Sequence, residues 1–437
     1  MQNQKNSVKE AFTYFKKSPI LRRMLQQFAE KYRSLGRVGG TVRLQITSPT
    51  DRESLSGLLG KDLSRQSAIS VSTTQLEQAL QRTRFADLTL QEILFSFIGD
   101  SILTRVEEKE RYESKKKQYF RKLARGCKSQ AGRDWLEHII TKGRGSRGIH
   151  LSYDRDQDKL HQQLSHVLLA VQELPGNGYE RLPVFAARVT GDPHGFDPTT
   201  EQGRLFVEAL RFIHRQIEEH SRRSLSSEEF SELLASFGIL RDDLSSFVTC
   251  TGLLAFRKQG RQVATWEEAH SEGVVLNVPL REVVRIDTLV SAAAKSVYVV
   301  ENPGVFSEII DCFAGRPYPP LICTHGQFRL AALLLLDKLA RAGVRIFYSG
   351  DFDPEGLQMA QRLLKRYPGI GEAWRYGVED YTRSNPSHPL NTARLNKLDR
   401  IDHPELIAVK GKIAVTGQAG YQEQIIPSLI EDLKQYF

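Results

Sequence analysis

A chain of 437 residues exceeds what one ordinary hydrophobic core organises, and a 40% apolar content supplies material for two or three domains. With 61 Lys and Arg against 52 Asp and Glu, the formal charge is +9, a bias toward polyanionic partners that a merely basic surface would also show. Cys127, Cys250, Cys312 and Cys323 are scattered without Cys-x-x-Cys or His/Cys spacing, which argues against disulfide scaffolding and structural zinc. No uncharged apolar run approaches the roughly 18 residues of a membrane span, and no apolar targeting core opens the chain, so a cytoplasmic protein without a membrane partner is expected.

Phe12, Phe15, Leu21, Met24, Leu25 and Phe28 recur at about one-turn intervals and predict a helix over 8–35, stopped by Gly36, Gly39 and Gly40. Short strands are expected at 41–44 and 68–71. A short helix begins near Asp51, and another starts at Ser72-Thr-Thr-Gln with a capping sequence. From 88 to 140 the pattern is mainly helical and increasingly basic.

Between Lys109 and Arg147 stand thirteen Lys or Arg against four acids, a local excess equal to the charge of the whole chain. Lys115, Lys116, Lys117, Arg121, Lys122, Arg125, Lys142, Arg144 and Arg147 are the candidate contacts to a DNA backbone. The glycines of Lys142-Gly-Arg-Gly-Ser-Arg-Gly would let backbone N–H groups and guanidiniums approach phosphates closely. A solvated charged helix face is the plain alternative. No zinc finger or aromatic RNA-binding signature accompanies the segment, so base-specific reading is not expected.

Residues 158–255 read as amphipathic helices divided by Pro/Gly breaks, such as those after Leu174 and Gly191. The stretch 182–194 reads as a packing or pocket loop, with His194 more plausibly a turn residue than a functional one. Val274 to Ile286 reads as β-structure leading into the last domain. The expected divisions are 1–150, mixed and mostly helical with the basic segment; 151–285, helical and linking; and 286–437, an α/β domain.

The last domain alternates strands at 297–300, 321–324 and 344–348 with helices at 328–341 and 355–367, and a further strand is expected near Trp374. That alternation is the signature of a mainly parallel, Rossmann-like sheet covered on both faces. Ligands of such sheets bind beyond the carboxyl ends of the strands. Glu301 falls there, as do Thr324-His-Gly-Gln and Gly350-Asp-Phe-Asp. Asn302-Pro303 and Asp353-Pro354 are both good N-cap and N1 pairs, so capping alone can account for Asp353. It does not account for Glu301 or Asp351.

If the first and third strands are neighbours, Glu301, Asp351 and Asp353 converge, and like charges at that distance repel unless a cation lies between them. Oxygen ligands without His or Cys suit Mg²⁺, with Mn²⁺ as a substitute, and phosphoryl transfer as the chemistry. Gly350 would allow a ligand to come close to the backbone.

The spacing strand-Glu-Asn-Pro, then fifty residues holding one strand–helix unit, then strand-Gly-Asp-x-Asp-Pro-x-Gly resembles the Toprim domain of topoisomerases, bacterial primases and related nucleases. The resemblance implies Glu301 as general acid/base or metal ligand, and Asp351 and Asp353 as metal ligands. Similar families sometimes add a late carboxylate, which would be Glu423. His325, after the second strand, could contact a phosphate or move a proton.

Over its whole length the chain resembles the Toprim nuclease subunit, the D subunit, of bacterial Wadjet anti-plasmid systems. The resemblance implies a bacterial cytoplasmic homodimer that cleaves double-stranded DNA with an SMC-like ATPase complex, its kleisin and accessory subunits. Related topoisomerase VI A subunits use a nucleophilic tyrosine, but Tyr112, Tyr119 and Tyr153 stand in no matching motif. Water is therefore the expected nucleophile. The alternatives are a catalytically silent DNA-binding scaffold and a topoisomerase-like enzyme.

Overall fold

The computed structural model describes residues 2–98, 104–176, 178–215, 225–315 and 317–435. Parts of the expected helical stretches, at 99–103 and 216–224, and Asn177 in the break after Leu174, lie outside the described residues. The chain divides into two compact units, Met1–Gly126 with Leu136–Gly143, and Cys127–Trp135 with Arg144–Phe437.

In the first unit the helix expected over 8–35 is two helices, Gln2–Lys17 and Pro19–Leu35. Pro19 lacks the N–H that an uninterrupted helix would use and is tolerated only in a first turn, so the chain restarts there. Phe15, Leu21, Met24, Leu25 and Phe28 are buried together with Val42, Leu44 and Val71 of the antiparallel pair Thr41–Gln45 and Ala68–Ser72. Alternation puts Val42 and Leu44 on the core side. Ser72 and Gln75 form the expected capping box. The basic segment runs largely along one 22-residue helix, Arg105–Gly126.

In the second unit, Leu182–Thr190 is a helix, not a loop. Pro183 sits in its first turn, where no donor is needed, and Phe185, Ala186 and Val189 form its buried face. His194 is in the following turn, exposed and bonded to Asp197 at 3.0 Å. After helix α1 (Ser227–Ser236) the chain becomes β-structure well before residue 286. Strands β1 (Phe247–Thr251) and β2 (Leu276–Pro279) join β3 (Ser296–Val300), β4 (Leu321–Cys323), β5 (Arg345–Ser349) and β6 (Gly371–Ala373) in one sheet.

The strand order is β6-β5-β3-β4-β1-β2. The four later strands are mutually parallel, as expected, while β1 runs antiparallel to β4 and β2 antiparallel to β1. The sheet is therefore mixed. Helices α2 (Pro303–Asp311), α3 (Leu330–Arg341) and α4 (Pro354–Arg366) connect the parallel strands. Val297 to Val300 are all buried, the unbroken apolar run of a strand covered on both faces.

After β3 the chain crosses to β4 on one side, whereas after β5 it crosses to β6 on the other. The β3/β5 boundary is thus the topological switch point, where a crevice opens beyond the carboxyl ends.

Candidate functional site

Val300 of β3 is in register with Ser349 of β5, so the next residues out, Glu301 and Gly350-Asp351, flank that crevice. Asn302 caps α2, its Oδ1 accepting from the Gly304 N–H at 2.8 Å, and this fixes the turn that carries Glu301. Phe352 is fully buried against Tyr376 and Tyr381 and pairs its backbone with Gly420. Burying Phe352 holds its two flanking aspartates on the other side of the extended segment.

Glu301 and Asp351 are half-buried and face one another's field. Burial first, and then the charge of Asp351, push the Glu301 carboxyl up to about 7. The Asp351 backbone N–H and the Tyr348 hydroxyl, 3.4 Å from Oε2, both donate to Glu301 and partly oppose the shift. Asp351 is pushed up to about 6 by burial and by Glu423 and Asp353, against the Gln422 N–H, which donates to Oδ1 at 2.9 Å. Both groups pay for ionisation in the absence of a cation.

Gly350 has a different reason from the expected one. A Cβ there would lie 2.8 Å from Glu301 Oε2 and from the Tyr376 hydroxyl, so protein groups fill the space that a ligand was expected to use. Gly356 likewise admits the Asp351 carbonyl, 2.2 Å from where a Cβ would stand.

Asp353 fills the capping role. Its Oδ1 accepts from the Gly356 N–H at 2.7 Å and its Oδ2 from Arg394 Nη2 at 2.5 Å. Arg394 also holds Glu355 at 2.7 Å, and Lys397 holds the other oxygen of Glu355. Glu423 is exposed, accepts from the side-chain amide of Asn302 and adds to the field at Asp351, so it does stand at this end of the sheet.

His325 follows β4 in a left-handed conformation with φ 56°. Its Nε2 is 2.5 Å from Thr249 Oγ1 and its ring is edge-on to Phe247 at 5.2 Å, both on the β1 side of the sheet. Burial and Arg329 lower its pKa. The structure thus gathers Glu301, Asp351, Asp353 and Glu423 and gives His325 partners on β1.

Among the described residues no group of three or more His, Cys, Asp or Glu side chains is set to hold a metal ion. Asp353 and Glu423 have turned to Arg394 and Asn302, which leaves Glu301 and Asp351 as the donors that fit a small, oxygen-seeking cation. Two neighbours of Asp351 carry buried polar side-chain atoms without a protein partner: Ser349, two residues before it, at Oγ, and the fully buried Gln422, whose backbone N–H Asp351 accepts, at both side-chain atoms. Tyr348, Tyr376, Arg394 and Gln422 were not anticipated. An Asp-Pro-Glu run at a helix start could have prompted a search for a basic partner such as Arg394.

Of the basic candidates, Lys115, Lys117, Arg121, Lys122, Arg125 and Lys142 are exposed in the first unit, and Arg144 and Arg147 are exposed in the second. Lys142 pairs with Glu113 at 2.9 Å. Lys116 departs from the expectation. It is buried on the same helical face as Phe120, four residues on, and its Nζ donates to the Tyr112 hydroxyl at 3.2 Å. No described helix is long and apolar enough to cross a membrane.

Two family descriptions match the chain: "Protein of unknown function N-terminus (DUF3323)" over residues 38–255 and "Protein of unknown function C-terminus (DUF2399)" over residues 276–433. The chain has no match among curated proteins.

Proposed function

We propose, from the premise that this chain has the paired-domain architecture of the Wadjet D subunits, that it is a Mg²⁺-dependent endonuclease of double-stranded DNA. In this reading its C-terminal domain is a Toprim domain, its water-driven cleavage follows loading by an SMC-like ATPase complex with its kleisin and accessory subunits, and it acts as a homodimer in the bacterial cytoplasm. The observation that carries the reading is the half-buried Glu301–Asp351 pair at the switch point of the sheet. Two carboxyls whose ionisation is opposed by burial and by neighbouring acids cost stability, and a divalent cation against a phosphate removes that cost.

Glu301 and Asp351 would hold the cation, with Mn²⁺ as a substitute. When bound, it would polarise the scissile phosphate and offset charge on the leaving oxygen. Glu301, shifted close to neutrality, can hold or release a proton at the carboxylate that Tyr348 also meets. Gln422 fixes Asp351 through its backbone N–H.

Water is favoured over tyrosine as the nucleophile. Tyr348 and Tyr376, the tyrosines whose phenols feel both Glu301 and Asp351, are buried, and those phenols are pushed well up by burial and by the acids. Such groups resist forming a nucleophilic phenolate.

A second reading, a catalytically silent DNA-binding scaffold, draws on the fact that both Asp353 oxygens already have protein partners. Plasmid cleavage with the partner complex separates the two. Glu301→Ala should lower the rate by at least roughly 10²-fold. Undiminished cleavage by the variant would overturn the catalytic assignment.

A further inference from the structure

On the β1 side of the sheet a cavity of about 320 Å³ opens between the first turns of α1, the turn before β1 and the start of α3. Arg241 and Arg329 line it, together with Ser227, Ser231, Ser245 and Ser246. Neutral groups hold both guanidiniums in place. Arg241 lies over the Phe230 ring at 5.2 Å and donates to Ser227 Oγ at 2.9 Å. Arg329 lies over the Phe247 ring at 4.9 Å and donates to the Ser245 carbonyl at 3.2 Å.

Neither arginine makes an ion pair among the described residues, whereas nearby Arg181 and Arg281 both pair with Asp243. The lining acid Asp242 is bonded within its own turn, its Oδ1 accepting from the N–H groups of Leu244 and Ser245 at 2.8 and 2.9 Å, and it feels the charge of Arg241 without forming an ion pair with it. Glu228, the other lining acid, sits in the first turn of α1. Two pre-positioned guanidiniums outside any ion pair among the described residues, beside serine hydroxyls, form a donor set suited to a phosphate.

The cavity stands at the same edge of the sheet as the acid pair. Thr249 of β1 is in register with Cys323 at the carboxyl end of β4, and the turn that carries Ser245 and Ser246 precedes β1. Since β4 separates β1 from β3, β1 is two strand spacings, about 10 Å, from the strand that ends in Glu301. Measured along a duplex axis that rises about 3.4 Å per step, a span of that order is a few nucleotides. The Phe247 ring links the two places, with Arg329 over its face and His325 at its side.

We propose that this cavity binds a backbone phosphodiester of the DNA strand, a few nucleotides from the phosphate that is cut. The choice of DNA as the source of the phosphate rests on the nuclease reading above; the phosphate chemistry does not.

The test uses the full chain without divalent cation, so that no cleavage occurs. Binding of a labelled DNA duplex is followed by anisotropy across a salt series, and binding of inorganic phosphate by calorimetry. Arg241→Gln with Arg329→Gln should weaken duplex binding several-fold, reduce the salt slope by about 2, and abolish phosphate binding. The corresponding double Lys variant, which keeps the charge, should restore the slope with only part of the affinity. Arg281→Gln, outside the lining, should leave both probes unchanged.

Phosphate binding lost with duplex binding unchanged would overturn the DNA assignment. Both probes unchanged in the Gln variant would overturn the site itself. Because cleavage is never read, a failure of the wild-type chain to cut DNA with its partner complex would sink the nuclease reading without touching the phosphate-binding result.

Discussion

The acidic end of the sheet and the basic helix Arg105–Gly126 hold their charge in opposite ways. On the helix, Lys115, Lys117, Arg121, Lys122 and Arg125 are exposed, so water screens them and holding them together costs little. At the sheet end, burial raises both Glu301 and Asp351, with Asp351 adding to the shift of Glu301 and with Glu423 and Asp353 adding to that of Asp351. The difference decides how much each can be trusted as a functional mark. An exposed basic face is compatible with phosphate binding and equally with mere solubility, whereas a half-buried pair of like charges needs something to balance it.

Stability against pH breaks that contrast with the largest expected effect. In cation-free protein the folded pKa of Glu301 is about 7 against an ordinary 4.5, and that of Asp351 about 6 against 3.8. A raised folded pKa means that the contribution to stability is fully present below the ordinary value and is lost as pH rises through the folded one. Wild type should therefore lose stability between about pH 4 and pH 7, on the order of 3 kcal/mol for Glu301. Thermal unfolding in chelator should show a steeper fall from pH 5 to pH 8 for wild type than for Glu301→Gln. Superimposable curves would mean that the pair is not under strain.

Asp353 lies between the two regimes, an acid at the crevice already balanced by Arg394. Asp353→Ala should cost about 1 kcal/mol through the lost cap, while Asp353→Asn, which can still cap α4, should cost less. Chemical denaturation measures both. If the two variants are equally destabilised, the cap is not what holds this residue.

The smallest effects belong to the basic helix. Replacing Lys115, Lys117, Arg121 and Lys122 with Gln should leave folding intact and flatten the salt dependence of duplex binding. Lys116→Met should leave that slope unchanged, because Lys116 is buried against Tyr112. A slope that responds to Lys116 and not to its exposed neighbours would reverse the assignment.

Much of this contrast is legible in the chain. The β-branched runs at 297–300 and 344–348 mark buried parallel strands, and Asn302-Pro303 and Asp353-Pro354 mark the caps that follow them. What escapes a local reading is long-range pairing. Strands β1 and β2 enter the sheet from before residue 286, and the antiparallel pairing of β1 with β4, which brings β2 in behind it, depends on contacts some seventy residues away. Arg394 meets Asp353 across 41 positions, so no spacing rule announces it. Lys116 looks like its neighbours in composition and differs only in the face of the helix it occupies. Gly350 was legible as a close-approach position, but the group that approaches is Glu301.

The central claim is that Glu301 and Asp351 form a divalent-cation site, and calorimetric titration of Mn²⁺ into the full chain near pH 7.5 tests it most directly. The account predicts saturable binding to wild type that is lost in Asp351→Asn and in Glu301→Gln, with both variants still folded. Binding that persists unchanged in both variants, or no binding to wild type, would contradict it.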